Sequence, residues 1–144
     1  MAIKAENKDR YPADWPAIRG AILGRAGNAC EQCGVANRTR IARGQGADKD
    51  RFMTADGTVH DADTSAHLGR CRVSDFDTGR IVDVVLTIGH LDHTPEKCAP
   101  ENLRAWCQRC HLRYDAAHHA ETARKTRHSR RAVADLFEEG ASHG

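Results

Sequence analysis

Two Cys-x-x-Cys pairs constrain the fold of this chain more than any other feature of its sequence. One pair is Cys30 and Cys33, the other is Cys107 and Cys110, and Cys33 and Cys107 lie 74 positions apart. Two such pairs are typical of four thiolates that bind one structural Zn²⁺ in a tetrahedral site. The alternative is four buried thiols without a metal. We expect a zinc ion that joins distant segments of one fold.

The rest of the composition favours an intracellular, cytoplasmic protein. The polar start from Met1 to Asp9 lacks the apolar stretch of a secretory signal, and no window approaches the roughly 18 consecutive apolar residues of a membrane helix. Because the cytosol keeps thiols reduced, the six cysteines are expected to be metal ligands or packed thiols rather than disulfides. Cys71 and Cys98, which lie outside the pairs, are expected to pack in the interior.

The periodicity of the apolar residues predicts a mixed α+β fold, and a length of 144 residues fits one domain. A helix is predicted over Trp15–Ala26, because apolar residues recur at helical spacing after the capping residue Asp14. A β-branched run predicts a strand over Arg80–Ile88, paired in a hairpin with Arg70–Ser74. A hairpin that turns at Asp56 and Gly57 is predicted within Arg51–His60. The other predicted elements are a strand over Leu103–Trp106, a helix after Cys107 and an amphipathic piece around Val133–Phe137.

Charge is distributed unevenly, although the net charge is only +2. Between Glu101 and Arg131 eight basic residues stand against three acidic ones, whereas between Asp48 and Asp83 eight aspartates stand against five basic residues. Such asymmetry predicts a bipolar molecule with one face for an anion.

The segment before the second cysteine pair carries a recognisable motif. It reads HLDHTP from His90 to Pro95 and ENLRAWCQRCHLRYD from Glu101 to Asp115. Three separate elements agree: an Asp-His pair after a strand, an Asn-Leu pair entering a second strand, and Cys-x-x-Cys-His opening a helix. In these elements, together with the paired cysteines, the chain resembles the HNH (ββα-metal, His-Me finger) endonucleases. The resemblance covers about Cys30 to Asp115, without the segment 37–69.

The resemblance implies a role for each of four residues. His93 matches the general base of the family, and Asp92 and His111 match the ligands of a catalytic divalent ion. Asn102 matches the middle asparagine, which orients the base or its loop.

These residue types suit the hydrolysis of a phosphodiester. A neutral imidazole with a pKa of about 6.5 can accept the proton of an attacking water at neutral pH. One carboxylate and one histidine make an open metal site, with positions left for water and phosphate oxygens. Mg²⁺ or Mn²⁺ fits such a site, and imidazole also accepts Zn²⁺, Ni²⁺ or Co²⁺.

Other residues near the motif have roles that the sequence leaves open. His90 lies two positions before Asp92, so it either supplies a third ligand or fixes the loop through a hydrogen bond. Basic residues near the motif and along the last helix are candidate contacts to a nucleic-acid backbone, and those on the helix are equally consistent with a solvated face. These candidates are Arg104, Arg109, Arg124, Lys125 and Arg127.

The resemblance implies a single nuclease domain built on a small zinc-stapled ββα-metal core. That core is expected over about 28–36 and 70–128, after an N-terminal helix. An irregular insertion over about 37–69, a C-terminal helical extension and a frayed tail over about 139–144 complete the expectation.

The expected activity is cleavage of DNA, most readily double-stranded, with partners of the phage-packaging or defence kind. Two alternatives stay open: a zinc-stabilised nucleic-acid-binding module that does not cleave, and a nuclease acting on RNA.

Overall fold

A computed structural model describes the backbone from residue 9 to residue 142 and the side chains from residue 9 to residue 134. The chain divides into two compact units, one ending at His111 and the other beginning at Leu112. Within the described residues the fold is α+β, with two α-helices and antiparallel strands, as the sequence predicts. No described helix has both the length and the apolar character needed to cross a membrane.

In the described part of the chain, two helices and seven strands follow one another in the order α1, β1 to β7, α2. Short 3₁₀ turns occupy Gly46–Asp48, Val73–Asp75 and Pro100–Asn102. The bounds are α1 (Trp15–Arg25), β1 (Arg40–Gly44), β2 (Arg51–Thr54), β3 (Thr58–Asp61), β4 (His67–Arg70), β5 (Thr78–Asp83), β6 (Thr87–His90), β7 (Leu103–Trp106) and α2 (Gln108–Ser142).

Helix α1 begins where its sequence predicts and ends one residue early. Asp14 is the N-cap residue, and its carbonyl accepts hydrogen bonds from the N–H groups of Ala17 and Ile18 at 3.0 and 3.1 Å. The helix stops before Gly27, whose φ of +65° is costly for residues with a Cβ.

The segment 37–69, expected to be irregular, is instead ordered as most of a five-stranded antiparallel sheet in the order β4-β3-β2-β1-β5. The predicted hairpin turn at Asp56 and Gly57 is confirmed. Gly57 has a φ of +84°, and the Asp56 carboxylate accepts a hydrogen bond from the Thr58 N–H at 3.1 Å. The sequence pattern did not predict this sheet, because its strands are short and their apolar and polar residues show little alternation.

The single strand predicted over Arg80–Ile88 is wrong, because the apolar run is divided between two sheets. β5 pairs with β1 in the large sheet, whereas β6 pairs with β7 in a two-stranded sheet. The hairpin with Arg70–Ser74 is also wrong, since β4 pairs with β3. Val84 and Leu86 are fully buried in the connection between the sheets, so the run stays apolar where the strand is interrupted.

The strand predicted over Leu103–Trp106 is confirmed as β7, and α2 follows it directly. β6, β7 and the start of α2 therefore form a ββα arrangement. The two helical pieces predicted after Cys107 are one continuous helix through Ser142. The predicted frayed tail is helical as far as Ser142, and residues 143–144 lie outside the described residues.

Cys71 packs as the sequence predicts, half-buried against a core cluster formed by Ala42, Met53, Val59 and Phe76. Its Sγ lies 3.9 Å from Sδ of Met53. This cluster covers one face of the large sheet.

We predict that Gly89→Ala destabilises the ββα arrangement. An added Cβ would lie 2.6 Å from Cζ3 of buried Trp106 and 3.4 Å from Nε2 of His111. Relieving this overlap requires a backbone shift, which costs about 1–3 kcal/mol in a packed interior. Urea unfolding of the metal-loaded protein measures this loss.

Gly20→Ala is the matched control, because nothing lies within 4 Å of its added Cβ in α1. Alanine favours a helix interior over glycine by about 0.5–1 kcal/mol, so this variant should be slightly more stable. Equal losses of stability in both variants would contradict the packing argument.

Candidate metal centre and candidate active site

The four paired cysteines meet in the interior although the sequence separates the pairs widely. Their Sγ atoms all lie within 4.8 Å of one another, and all four side chains are buried. The Sγ atoms of Cys33 and Cys107 are 3.7 Å apart. Four sulfurs around Zn²⁺ at about 2.3 Å lie about 3.8 Å from one another, so this spacing fits a tetrahedral ion and not a disulfide. The cluster could hold a structural metal such as zinc.

Local sequence folds the first cysteine pair into a tight turn. The Gly34 N–H donates to the carbonyl of Cys30 at 2.9 Å, and Gly34 itself has a φ of +84°. The Cys30 N–H in turn donates to the carbonyl of Val35 at 2.9 Å. Gly34 therefore supplies the left-handed backbone that the turn requires.

Glu31 ties this turn to strand β7. Its N–H donates to the carbonyl of Ala105 at 2.8 Å, and its carboxylate accepts the Ala105 N–H at 2.9 Å. Arg25, at the end of α1, pairs with Glu31 at 2.7 Å and donates to the carbonyl of Leu103 at 2.7 Å. One carboxylate thus fixes the cysteine turn, the helix end and the strand together.

The electrostatics of the cluster suit a cation. A hydrogen bond from Cys110 is the main cause that lowers the pKa of Cys107 to about 6. Contact with Cys107 lowers the pKa of Cys30 and raises the pKa values of Cys33 and Cys110. Some of the thiols are therefore acidified while their neighbours resist ionisation. A divalent ion removes this conflict, because it binds all four sulfurs as thiolates.

Asp92 and Asn102 are joined across the end of the β6–β7 hairpin. Nδ2 of Asn102 donates to Oδ1 of Asp92 at 2.9 Å, and Oδ1 of Asn102 accepts the Asp92 N–H at 3.3 Å. The bond from Asn102 is the main cause that lowers the pKa of Asp92, with smaller contributions from the Thr94 N–H and Lys97. The carboxylate is exposed and is held ionised.

His93 lies directly after this carboxylate in a tight turn. Its φ is +58°, and its N–H donates to the carbonyl of His90 at 3.1 Å. A non-glycine residue in the left-handed region is uncommon and is held by its surroundings. Here the Leu91 N–H, which donates to the carbonyl of Asn102 at 2.8 Å, closes the same loop.

His111 is half-buried in the first turn of α2 and packs on the β6–β7 hairpin. Its Nδ1 is 2.7 Å from Oγ1 of Thr87, and its ring lies 5.5 Å from the Trp106 ring. Gly89, two residues beyond Thr87 on the same face of β6, provides the space beside Nε2. Because Thr87 occupies Nδ1, Nε2 is the nitrogen that a metal ion would use.

His90 lies on the opposite face of β6 from Thr87 and Gly89. Its ring stacks on Trp15 at 5.4 Å and meets Tyr11 edge-on at 5.9 Å, and its Nε2 lies 3.6 Å from Sγ of Cys98. Burial in this aromatic surround lowers the pKa of His90. A ligand role for His90 required β6 to continue to Asp92, so that both side chains would lie on one face of the strand. Because β6 ends at His90, this condition is not met.

Within the described residues, the four cysteines are the one group in which at least three His, Cys, Asp or Glu ligand atoms lie close together. His90, Asp92 and His111 do not form such a group. A second ion at this end of the hairpin would therefore be held by fewer than three such side chains, with its other positions open to water or substrate.

The basic residues that the sequence suggested as nucleic-acid contacts lie in different environments. Arg104 donates to the backbone carbonyls of Glu101 and Leu103. Arg109 pairs with Asp63 at 2.9 Å and Asp50 at 3.5 Å. In the second unit, exposed basic residues line one side of α2 at helical spacing, and Lys125 pairs with Glu121 at 3.2 Å. Those residues are Arg124, Arg127, His128 and Arg131.

Sequence reasoning missed two residues that contact the sites. Thr87 could have been found, because it lies two positions before Gly89 on a predicted strand and so shares its face. Arg43, whose Nη2 is 3.9 Å from Sγ of Cys107, gave no signal, because it lies within the segment expected to be irregular.

Comparison with protein-family models, curated proteins and solved structures finds no match to this chain.

We predict that the chain binds one zinc ion through the four cysteines and that Cys33→Ser abolishes stoichiometric binding. Loss of one thiolate from a closed four-sulfur site removes most of its affinity and leaves a hydroxyl in a buried position. Elemental analysis gives the zinc content, and thermal unfolding gives the stability. Cys71→Ser is the matched control and should retain the zinc; equal retention by both variants would contradict the assignment.

We predict that burial of His90 makes stability depend on pH. Its folded pKa is lowered from 6.5, so its contribution is complete above pH 6.5 and is lost as the pH falls through the folded value. His90→Phe keeps the aromatic packing and removes the titrating group. Urea unfolding between about pH 5 and pH 7 should therefore show a weaker decline for this variant than for the wild type. The same decline in both proteins would contradict the prediction.

Proposed function

We propose that this protein is an HNH-type endonuclease that hydrolyses DNA phosphodiester bonds, with zinc as the structural ion and a second divalent ion in catalysis. The observation that carries the proposal is the Asp92–Asn102 hydrogen-bonded pair at the end of a hairpin whose second strand leads into the helix of His111. The exposure of this ionised carboxylate beside a histidine held at a positive φ supports a catalytic role for both residues. A phosphodiester hydrolase needs both groups.

In this proposal His93 is the general base. Its imidazole accepts a proton from the water that attacks phosphorus, while the bond from phosphorus to the 3′ oxygen breaks. The turn that holds His93 at a positive φ fixes its position relative to the neighbouring carboxylate. The leaving 3′ oxygen takes a proton from solvent water, so the products carry a 5′ phosphate and a 3′ hydroxyl.

Asp92 and His111 are the proposed ligands of the catalytic ion. Such an ion would supply positive charge that stabilises the transition state. Asn102 is a positioning residue, because it holds Asp92 ionised and oriented. Thr87 has the same relation to His111, since its hydroxyl fixes the imidazole through Nδ1.

His90 is proposed to be structural rather than a ligand. It fills an aromatic surround formed by Trp15 and Tyr11, which connects the start of α1 to the hairpin. The basic side of α2 that contains Arg124, Arg127 and Arg131 is proposed to bind backbone phosphates, a contribution that depends on salt and not on sequence.

We predict that the purified, zinc-loaded protein cleaves plasmid DNA when Mg²⁺ or Mn²⁺ is added. His93→Ala should lower the rate at least about a hundredfold, because a positioned general base contributes at least that factor. The variant should keep its zinc and its affinity for DNA. Gel assays of cleavage and binding, on double-stranded DNA, single-stranded DNA and RNA, measure these outcomes.

His119→Ala is the matched control, since His119 is an exposed histidine of α2 outside the proposed site. It should cut at the wild-type rate. Cleavage by His93→Ala at that same rate would exclude His93 as the base. DNA binding without cleavage under every divalent ion would favour the alternative of a zinc-stabilised binding module.

A further inference from the structure

A basic pocket lies on the large sheet, away from Asp92 and His93. Its volume is about 420 Å³, and five of its nine lining residues are cationic whereas one is acidic. The charged residues are Arg43, Lys49, Arg51, Arg80 and Arg109, with Asp50 as the acid. We call this the sheet pocket.

Arg43 is the decisive residue of the sheet pocket. It is 9% exposed, and its Nη1 is the one buried side-chain nitrogen or oxygen among the described residues that has no hydrogen-bond partner. Its Nη2 lies 3.9 Å from Sγ of Cys107, and its guanidinium lies 5.6 Å from the centre of the Phe52 ring. The cysteine cluster therefore compensates one edge of the guanidinium. The other edge has a buried donor that requires an acceptor.

The sheet register adds a second, independent observation. Arg43 on β1 is the direct partner of Arg80 on β5, so both side chains leave the sheet on the same face. Like charges directly opposite each other on antiparallel strands are destabilising. An anion between Arg43 and Arg80 would attract both guanidinium groups and so offset their mutual repulsion.

Carboxylates of the chain compensate only part of the positive charge. Arg109 pairs with Asp63 and Asp50, and Arg51 pairs with Asp48 at 3.5 Å. Within the part of the chain that the structure describes, no ion pair is found for Arg43, Lys49 or Arg80. The sheet pocket thus keeps an excess of positive charge.

We propose that the sheet pocket binds a phosphate group through Arg43, Arg80 and Lys49. The planar guanidinium groups of Arg43 and Arg80 match the oxygens of a phosphate, and Lys49 adds a flexible point charge at the exposed rim. The phosphate comes either from a nucleic-acid backbone or from a free phosphate anion. This proposal rests on the geometry of the sheet and does not require that the protein cleave DNA.

The test uses the zinc-loaded protein and substitutions of two exposed residues at the rim of the sheet pocket. Arg80→Gln and Lys49→Gln remove charge without disturbing the buried contacts that Arg43 makes. Calorimetry at constant ionic strength measures binding of inorganic phosphate, and we expect each variant to lose about tenfold in affinity, as for one charge-assisted hydrogen bond. Arg40→Gln is the control, because Arg40 is an exposed arginine of β1, the strand that carries Arg43, and it pairs with Asp83 outside the pocket.

A second measurement separates the two sources of phosphate. Binding of a short DNA duplex is followed over a salt series, where each lost backbone contact lowers the salt slope by about 0.9. A lower slope in Arg80→Gln identifies a backbone phosphate. An unchanged slope with weaker phosphate binding identifies a free anion. The proposal is overturned if the wild type binds neither probe, or if Arg80→Gln and Arg40→Gln behave alike in both assays.

Discussion

The contact of four cysteines in the interior is the constraint on which the rest of the first unit depends. It brings together residues 74 positions apart and places the turn after α1 against the start of α2. Glu31 repeats the connection with ordinary hydrogen bonds, since it joins the cysteine turn to β7 through both its backbone and its carboxylate. A small core with few aromatic residues gains from such a link, because a metal ion that binds only the folded state stabilises that state.

This link also determines where the candidate active site lies. Cys110 immediately precedes His111, so the cysteine cluster sets the position and rotation of the histidine against Thr87 on β6. Asp92, which follows β6, is positioned independently by its hydrogen bond from Asn102. The hairpin thus supports both proposed ligands, and the loop that carries the proposed base is short and closed by backbone hydrogen bonds.

Sequence predicted the features that depend on local rules. The limits of α1, the turn at Gly57 and the whole of β7 follow from the local spacing of apolar residues and from the backbone freedom of glycine, and the structure reproduces them closely. The sequence did not predict features whose burial depends on residues distant along the chain. The apolar run through Val84 is continuous because the connection between β5 and β6 is buried. Its periodicity does not show that these two strands belong to different sheets. Arg43 is likewise informative only once its neighbours on other strands are known.

We propose that one divalent ion, bound by the four cysteines, stabilises the fold and that a second divalent ion takes part in DNA cleavage. The most direct measurement follows zinc content, folding and DNA cleavage together, after mild chelation that removes weakly held divalent ions. We predict that one zinc per chain and the folded state persist, that cleavage stops, and that added Mg²⁺ or Mn²⁺ restores cleavage. Cleavage that continues with the tightly held zinc alone, or that falls only in step with loss of that zinc, would contradict the account.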